Sequence, residues 1–477
     1  MPESLAFART DPAPRRDSPL LSVRDLSVTF PQRGADPVQA VRGISYDIYP
    51  GEFLGIVGES GSGKSVSSLA VMGLLPSTAE IRGAIEFEGR SLLEMNDAQL
   101  SRVRGKELAM VFQDPLSALT PVYSVGQQIS EALRVHDSKL SEQAAQARAV
   151  ELLKVVGIPD AARRARAFPH EYSGGMRQRA MIAMAIANDP KVIIADEPTT
   201  ALDVTIQAQI LDVLEQAKDL TGAAVVLITH DLGVVAGHAD RVGVMYAGKL
   251  VEIGTTEQIF HHAHMPYSIG LLRSVPNMLT AGSQRLVPLE GRPPSLSNLP
   301  GGCPFAPRCP IAIDECREVE PALIAHEPGV EPPHLAACIR GGEIARGELS
   351  RAEVFPRPEP LPADEIADTT DEPVIVVEDL KRHFPLMKGS VFPRRIGTVR
   401  AVDGVSFALR PGRTLGLVGE SGCGKSTLGR SLLRLVEMTA GEIHFDGELI
   451  SALPESALKP FRRRVQAIFQ DPYSSLN

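Results

Sequence analysis

The chain has 477 residues, 43% hydrophobic and 22% charged, the balance of globular proteins and long enough for two or three domains of roughly 100–200 residues each. No apolar run approaches the ~20 residues of a membrane-spanning helix, and the opening Met-Pro-Glu-Ser-Leu-Ala-Phe-Ala lacks the basic-then-apolar layout of a secretory signal. Lys and Arg number 49 against 58 Asp and Glu, a net charge of −9. That balance argues against a broad nucleic-acid-coating surface and leaves room for a local anion site.

In chain order, residues 1–19 are a polar, Pro-rich tail expected to be disordered. Glu52–Val57 is an apolar run that reads as a strand, followed by a Gly-rich turn and a helical pattern over Val66–Leu75. The turn, Gly58-Glu-Ser60-Gly61-Ser62-Gly63-Lys64-Ser65, fits the phosphate-binding loop G-x-x-x-x-G-K-[ST]. Glycines let backbone N–H groups turn inward around phosphates, and the following helix presents its positive N-terminus. Lys64 would reach the β- and γ-phosphates, the Ser65 hydroxyl would ligate Mg²⁺, and Val66 continues the loop into the helix.

Further on, residues 142–157 place Ala149, Leu152, Leu153 and Val156 on one face of a helix ending at Gly157. Ser173-Gly174-Gly175 opens a helical run, Met176–Ala187, a second N-terminus able to receive an anion. Taken alone it is no more than a turn. Lys191–Ala195 is a β-rich run ending in Asp196 and Glu197. By themselves two acids there would cap a helix; beside a phosphate loop they read as a Mg²⁺ ligand and a base that polarises water. Ala223–Thr229 is a similar run, with His230 at its end. Such runs suit buried strands of a largely parallel sheet.

Residues 261–345 are rich in proline and carry Cys303, Cys309, Cys316 and Cys338, spaced C-x₅-C-x₆-C-x₂₁-C. Without an export signal they read as metal ligands in preference to disulfides. Zn²⁺ and an iron–sulfur cluster both fit four thiolates, although the close C-x₂₋₄-C pairs of structural zinc are absent. Residues 346–373 form an acidic, Pro-rich stretch expected to be an extended linker.

Residues 374–477 repeat the beginning of the chain. Between 40–65 and 401–426, 16 of 26 positions are identical, and FQDPLSAL at 112–119 returns as FQDPYSSL at 469–476. The second phosphate loop comprises Gly419, Ser421, Gly422, Cys423, Gly424, Lys425, Ser426 and Thr427, with Cys423 read as a small residue the turn permits.

In this order the segments resemble the ATP-binding cassette (ABC) ATPases. The resemblance implies an α/β P-loop NTPase cassette with a helical subdomain over residues 20–260, the small Cys-rich extension, and the N-terminal part of a second cassette. It makes Phe30 and Phe384 adenine-stacking aromatics, and Gln113 and Gln470 Q-loop residues that share Mg²⁺ with Ser65, Asp196 and Ser426. It further makes Ser173–Gly175 the signature, Ala201-Leu202-Asp203 the D-loop, Glu197 the catalytic base and His230 the switch histidine. ESGSGKS, YSGGMRQR and ADEPTTALDVTIQAQI resemble the ATPase subunits of peptide-type ABC importers, in their fused two-cassette form. Cys303-Pro-Phe-Ala-Pro-Arg-Cys309-Pro resembles their C-terminal extension, which tips the thiolates toward a [4Fe–4S] cluster over Zn²⁺. His264-Met-Pro-Tyr267 departs from the subfamily's His-Pro-Tyr, putting a role for His264 in doubt.

The resemblance implies head-to-tail cassette dimers that sandwich ATP between the phosphate loop of one and the signature of the other. It also implies two transmembrane permease subunits, docked near Gln113–Tyr123, an extracytoplasmic solute-binding protein, a peripheral place on the cytoplasmic face of the membrane, and no nucleic acid. The second copy reaches Asn477 before any signature, so one chain holds no complete ATP site; the expectation is a fragment of a longer fused protein. A competing reading is a soluble twin-cassette protein acting on ribosomes or DNA.

Overall fold

The computed structural model describes residues 18–32, 34–200, 202–275, 288–356, 372–388 and 394–469. Its contacts divide the chain into two units, residues 1–202 with 206–361 and residues 203–205 with 362–477. Residues 1–17 of the tail, Ala201, most of the acidic stretch (357–371) and Gln470 lie outside the described residues.

Strands of the first unit are β1 (Leu21–Gln32), β2 (Ala35–Ile48), β3 (Phe53–Val57), β4 (Glu80–Phe87), β5 (Arg90–Ser91) and β6 (Leu108–Val111). They continue with β7 (Val192–Asp196), β8 (Ala224–Thr229), β9 (Arg241–Tyr246), β10 (Lys249–Thr255), β11 (Ile324–Ala325) and β12 (Leu335–Ala336). One sheet is antiparallel, in the order β2-β1-β4-β5; the other runs β11-β12-β10-β9-β3-β8-β7-β6. Within the second, β9, β3, β8, β7 and β6 are parallel. Every residue of β3, β6, β7 and β8 is buried, which is why these segments read as unbroken apolar runs: both faces are covered. The register pairs Val57 with Thr229 and Ile228 with Asp196. The carboxyl ends of β3, β7 and β8 therefore open at one sheet edge, where ligands of α/β sheets bind.

The helix Glu142–Val155 buries Ala149, Leu152 and Leu153 completely, and Gly157 ends it at φ 70°, a conformation glycine adopts without strain. It packs with the helices Val125–His136 and Gly174–Ala185. The last begins two residues before the sequence reading, because Ser173 caps it and accepts the Met176 N–H at 3.3 Å. The loop helix likewise begins early, at Lys64, and ends at Val71; Gly63 starts it at φ 100°.

The extension is stitched to the cassette at two places. Tyr246 at the end of β9 meets Tyr267 and Phe305 with ring centroids 4.5 and 5.5 Å away, contacts worth about 0.5–1.5 kcal/mol each beyond their burial. Below them Glu252 of β10 is fully buried and accepts the N–H groups of His264 and Met265 and a hydrogen bond of 2.9 Å from His334. His264 stacks on His334 at 4.2 Å. The residue whose role the inserted Met265 put in doubt is thus a packed part of the interior. Packing also continues beyond residue 345. The helix Arg351–Val354 lays a fully buried Val354 against Ala263, Ile269 and Ile344, so the stretch expected to be extended from residue 346 starts as ordered chain. Ser350 and Glu353 form a capping box there, a local signal outweighed in the sequence by the surrounding prolines and acids.

In the second unit β13 (Ile375–Lys388), β14 (Arg394–Leu409), β15 (Ala440–Phe445) and β16 (Glu448–Leu449) form an antiparallel sheet in the order β14-β13-β15-β16. This repeats the order β2-β1-β4-β5. Its core gathers Val377, Leu380, Val402, Leu428, Ile443 and Phe445. Residues 414–418, which correspond in sequence to β3, form no strand, and Val418 is 89% exposed where Val57 is fully buried. A strand needs lateral partners for its backbone groups; β3 has β8 and β9, and the described residues of the second unit include no counterparts.

Burial, with His334 alongside, pushes the His264 pKa from 6.5 down to about 3. The unfolded chain binds this proton below about pH 6.5 and the folded chain does not until about pH 3, so stability falls as pH drops through that window. His264→Gln should flatten the loss of unfolding free energy between pH 7 and pH 4.5, measured by denaturant unfolding at each pH, by up to about 1 kcal/mol per pH unit. An unchanged slope would contradict this burden on His264.

Candidate functional site

The glycine-rich loop follows β3 and is shaped by close backbone contact. A Cβ on Gly58 would lie 2.2 Å from the Met245 carbonyl oxygen, and one on Gly63 would lie 2.3 Å from that of Ala40. Gly58, Gly61 and Gly63 all take positive φ, 153°, 80° and 100°, so only glycine fits this turn at two of its ends without strain. The loop is tied back by the Gly248 N–H, which donates to the Ser62 carbonyl at 3.0 Å. Ser60 and Gly61 are exposed while Ser62, Gly63 and Lys64 are buried; Val66 lies half-buried against the core.

Lys64 Nζ donates to the carbonyls of Gly58 and Glu59 at 2.8 and 3.0 Å. Burial pushes its pKa down, against the opposing pull of Glu197, Asp196 and Glu59. Ser65 Oγ donates to Asp196 Oδ1 at 2.9 Å. Burial pushes the Asp196 carboxyl up, partly offset by that hydrogen bond. Burial thus disfavours the charged form of a cation and of an anion that stand close together. Ser62 Oγ, buried in the loop, has no hydrogen-bond partner, an orphan that a ligand in the cradle would satisfy.

Glu197 sits at φ 45°, a strained conformation for a residue other than glycine that costs about 1–3 kcal/mol. Its N–H donates to the Ile228 carbonyl at 2.8 Å, which holds the turn. The carboxylate accepts from Gln113 Nε2 at 3.0 Å and from Thr200 Oγ1 at 2.8 Å, and His230 Nδ1 lies 3.4 Å away. Glu197 is 14% exposed and His230 60%. The structure therefore brings together Lys64, Ser65, Gln113, Asp196, Glu197 and His230, residues that come from four separate stretches of chain. Thr200 joins them unannounced by the sequence.

Ser173 and Gly174 are exposed at their helix start, and Gly175 is buried, where a Cβ would come 2.6 Å from Ile206 Cγ2. Among the described hydrogen bonds none joins Ser173–Gly175 to the Gly58–Ser65 loop. Phe30 is half-buried on β1, opposite Val38 of β2. In the second unit the loop geometry recurs: Gly419, Gly422 and Gly424 have φ of 153°, 80° and 102°, and Lys425 Nζ donates to the Gly419 and Glu420 carbonyls, both at 2.6 Å. There Ser421, Gly422, Cys423 and Ser426 are exposed and Thr427 is half-buried. Phe384 is half-buried on β13 with the Arg382 guanidinium 4.4 Å from its ring centre.

Cys303, Cys309, Cys316 and Cys338 are free thiols lining one small cavity with Met265, Pro266, Phe305 and Pro321. Burial pushes Cys309 up to about 11 and Cys338 up to about 12, and raises Cys303. Among the described residues no three of their Sγ atoms gather within 4.8 Å of one another. Two residues that the motifs did not flag connect this lobe to the phosphate loop: Tyr267, whose hydroxyl accepts the Glu59 N–H at 3.0 Å, and Arg308, which grips the Glu59 carboxylate at 2.7 and 2.9 Å.

Residues 41–200 and 402–477 match the family model described as ABC transporter, and residues 251–316 match the model described as oligopeptide/dipeptide transporter, C-terminal region. The chain is 54% identical over 465 residues to the oligopeptide transport ATP-binding protein OppD of Mycobacterium tuberculosis, covering 96% of this chain and 74% of that one. It is 43% identical to the glutathione import ATP-binding protein GsiA of Salmonella choleraesuis, over 96% of this chain and 65% of the relative. To the dipeptide transport ATP-binding protein DppD of Bacillus subtilis it is 51% identical, over 63% of this chain and 90% of the relative. A glycine-rich loop facing an Asp-Glu strand end, together with these relatives, leads to one conclusion: the chain belongs to the ATP-binding subunits of the oligopeptide and dipeptide ABC transporters.

Proposed function

We propose that the first cassette binds ATP at Gly58–Ser65 and hydrolyses it with Glu197 as base, to energise uptake of di- or oligopeptides or a related solute. The observation that carries the reading is the convergence of Lys64, Ser65, Asp196 and Glu197 on one sheet edge. Lys64 neutralises the β- and γ-phosphates, and the loop N–H groups take up their oxygens. Ser65, Asp196 and Gln113 would hold Mg²⁺, which when bound neutralises phosphate charge. Glu197, fixed by Gln113 and Thr200, accepts the proton of the attacking water. His230 stands at the open side of the pair, placed to meet the γ-phosphate.

Phe30 stacks on the adenine in this reading. A second cassette supplies a Ser173–Gly175 type signature, whose helix start is exposed at Ser173 and Gly174 and able to receive an anion. Lys425 and Ser426 belong to a second nucleotide loop of the same kind, with Gln470 as its Q-loop glutamine. Among the described residues no helix is long and apolar enough to cross a membrane; the pore is assigned to two permease subunits, with a solute-binding protein outside and this chain on the cytoplasmic face. Leu116, Val122 and Tyr123 are 58, 70 and 54% exposed just after Gln113, an apolar surface suited to a permease helix. Glu197→Gln should lower hydrolysis by about two to four orders of magnitude and trap ATP-bound dimers in gel filtration. Turnover at the wild-type rate would overturn the assignment.

The cysteine lobe takes a [4Fe–4S] cluster in this reading, with Zn²⁺ as the alternative. Four thiols around one cavity, Cys316 buried and the other three half-buried, suit a metal group, since thiolates in apolar surroundings need compensating charge. The cluster would act as a covalent hub for a lobe with little core of its own. Anaerobically purified protein should carry about four iron and four sulfide per chain and absorb broadly in the visible. Zinc alone, or no metal, would refute it.

A further inference from the structure

Glu59 is the second residue of the phosphate loop, and its carboxylate does not face open water. Arg308 holds it in a two-pronged pair, one guanidinium nitrogen 2.7 Å from Oε2 and the other 2.9 Å from Oε1, the strong geometry for this pairing. The Arg308 side chain is 4% exposed. Its remaining contacts lock it: Nε donates to the Glu290 carbonyl at 2.9 Å, one terminal nitrogen donates to the Tyr246 hydroxyl at 3.3 Å, and the Tyr246 and Phe305 ring centres lie 5.8 Å away. Arg308 ends the short turn Ala306–Arg308, directly before Cys309. The phosphate loop is therefore charge-balanced by a residue of the cysteine lobe, 249 positions away in the chain.

This matters because of where Glu59 sits. Its own carbonyl accepts from Lys64, the lysine that must turn toward a polyanion. A carboxylate left uncompensated there repels the phosphates and competes for Lys64. We infer that Arg308 is a positioning residue of the ATP site. By neutralising Glu59 it sets the affinity of the loop for nucleotide, and because it is anchored beside Cys309, that affinity depends on the integrity of the four-cysteine lobe. The inference rests on the proposed ATP site and adds a control to it.

The test uses the full chain and compares wild type, Arg308→Met, Arg308→Met with Glu59→Gln, Cys309→Ser, and Cys309→Ser with Glu59→Gln. Equilibrium binding of a fluorescent ATP analogue with Mg²⁺, and the KM and kcat for ATP, are the readouts. Arg308→Met should raise Kd and KM by about tenfold with kcat changed less than about twofold, and removing the Glu59 charge in the same chain should restore binding. Cys309→Ser should weaken binding in the Glu59 chain and not in the Glu59→Gln chain. If the double variant binds as poorly as Arg308→Met, the arginine is mere packing and the inference is wrong. Unchanged affinity in Arg308→Met also overturns it, and unchanged affinity in Cys309→Ser removes the link to the lobe. Wild-type protein that binds no nucleotide while Glu59→Gln with Arg308→Met also binds none would instead overturn the ATP site itself.

Discussion

Two buried charges govern the first cassette. Lys64 and Asp196 emerge from the ends of β3 and β7, one strand apart, into a place where burial disfavours the charged form of each. Internal contacts only partly compensate them: Lys64 leans on two carbonyls of its own loop, and Asp196 receives one hydroxyl from Ser65. A ligand that brings an anion to the lysine and a cation to the carboxylate relieves both at once. A magnesium-bound nucleotide triphosphate has that distribution of charge.

The remaining architecture serves to keep that edge in register. The strands that carry it are buried along their whole length and covered on both faces. The glycines let Ala40 and Met245 approach the loop more closely than any side chain would allow. From the opposite side, the aromatic trio Tyr246, Tyr267 and Phe305 and the Arg308–Glu59 pair press the extension onto the same loop. The strain at Glu197 is held by backbone and side-chain hydrogen bonds from two directions, which fixes the carboxylate before substrate arrives.

What the sequence made legible was whatever repeats locally. The glycine spacing of Gly58–Ser65, the apolar run before Asp196 and the Ser-Gly-Gly before a helix each carry their geometry within a few residues; the strands followed within about one position, while the loop helix ended at Val71, four residues before the expected Leu75. The neighbours Gln113, Glu197 and His230, which the structure brings together, were legible through the order of motifs. What escaped was long-range pairing between ordinary residue types. Arg308 and Tyr267 lie inside motifs quoted for their neighbours, and only folding brings them to Glu59. The packed helix Arg351–Val354 was masked by the composition around it. Residues 414–418 carry a strand's sequence without a strand's partners, because strand formation is decided by neighbours as well as by propensity.

The central claim is that the sheet edge is completed by phosphate and Mg²⁺ together, and thermal unfolding of the full chain measures it directly. ATP with Mg²⁺ should raise the melting temperature well beyond ATP with a chelator, and the difference should vanish in Asp196→Asn. Equal stabilisation with and without Mg²⁺, or none from either, would contradict the account.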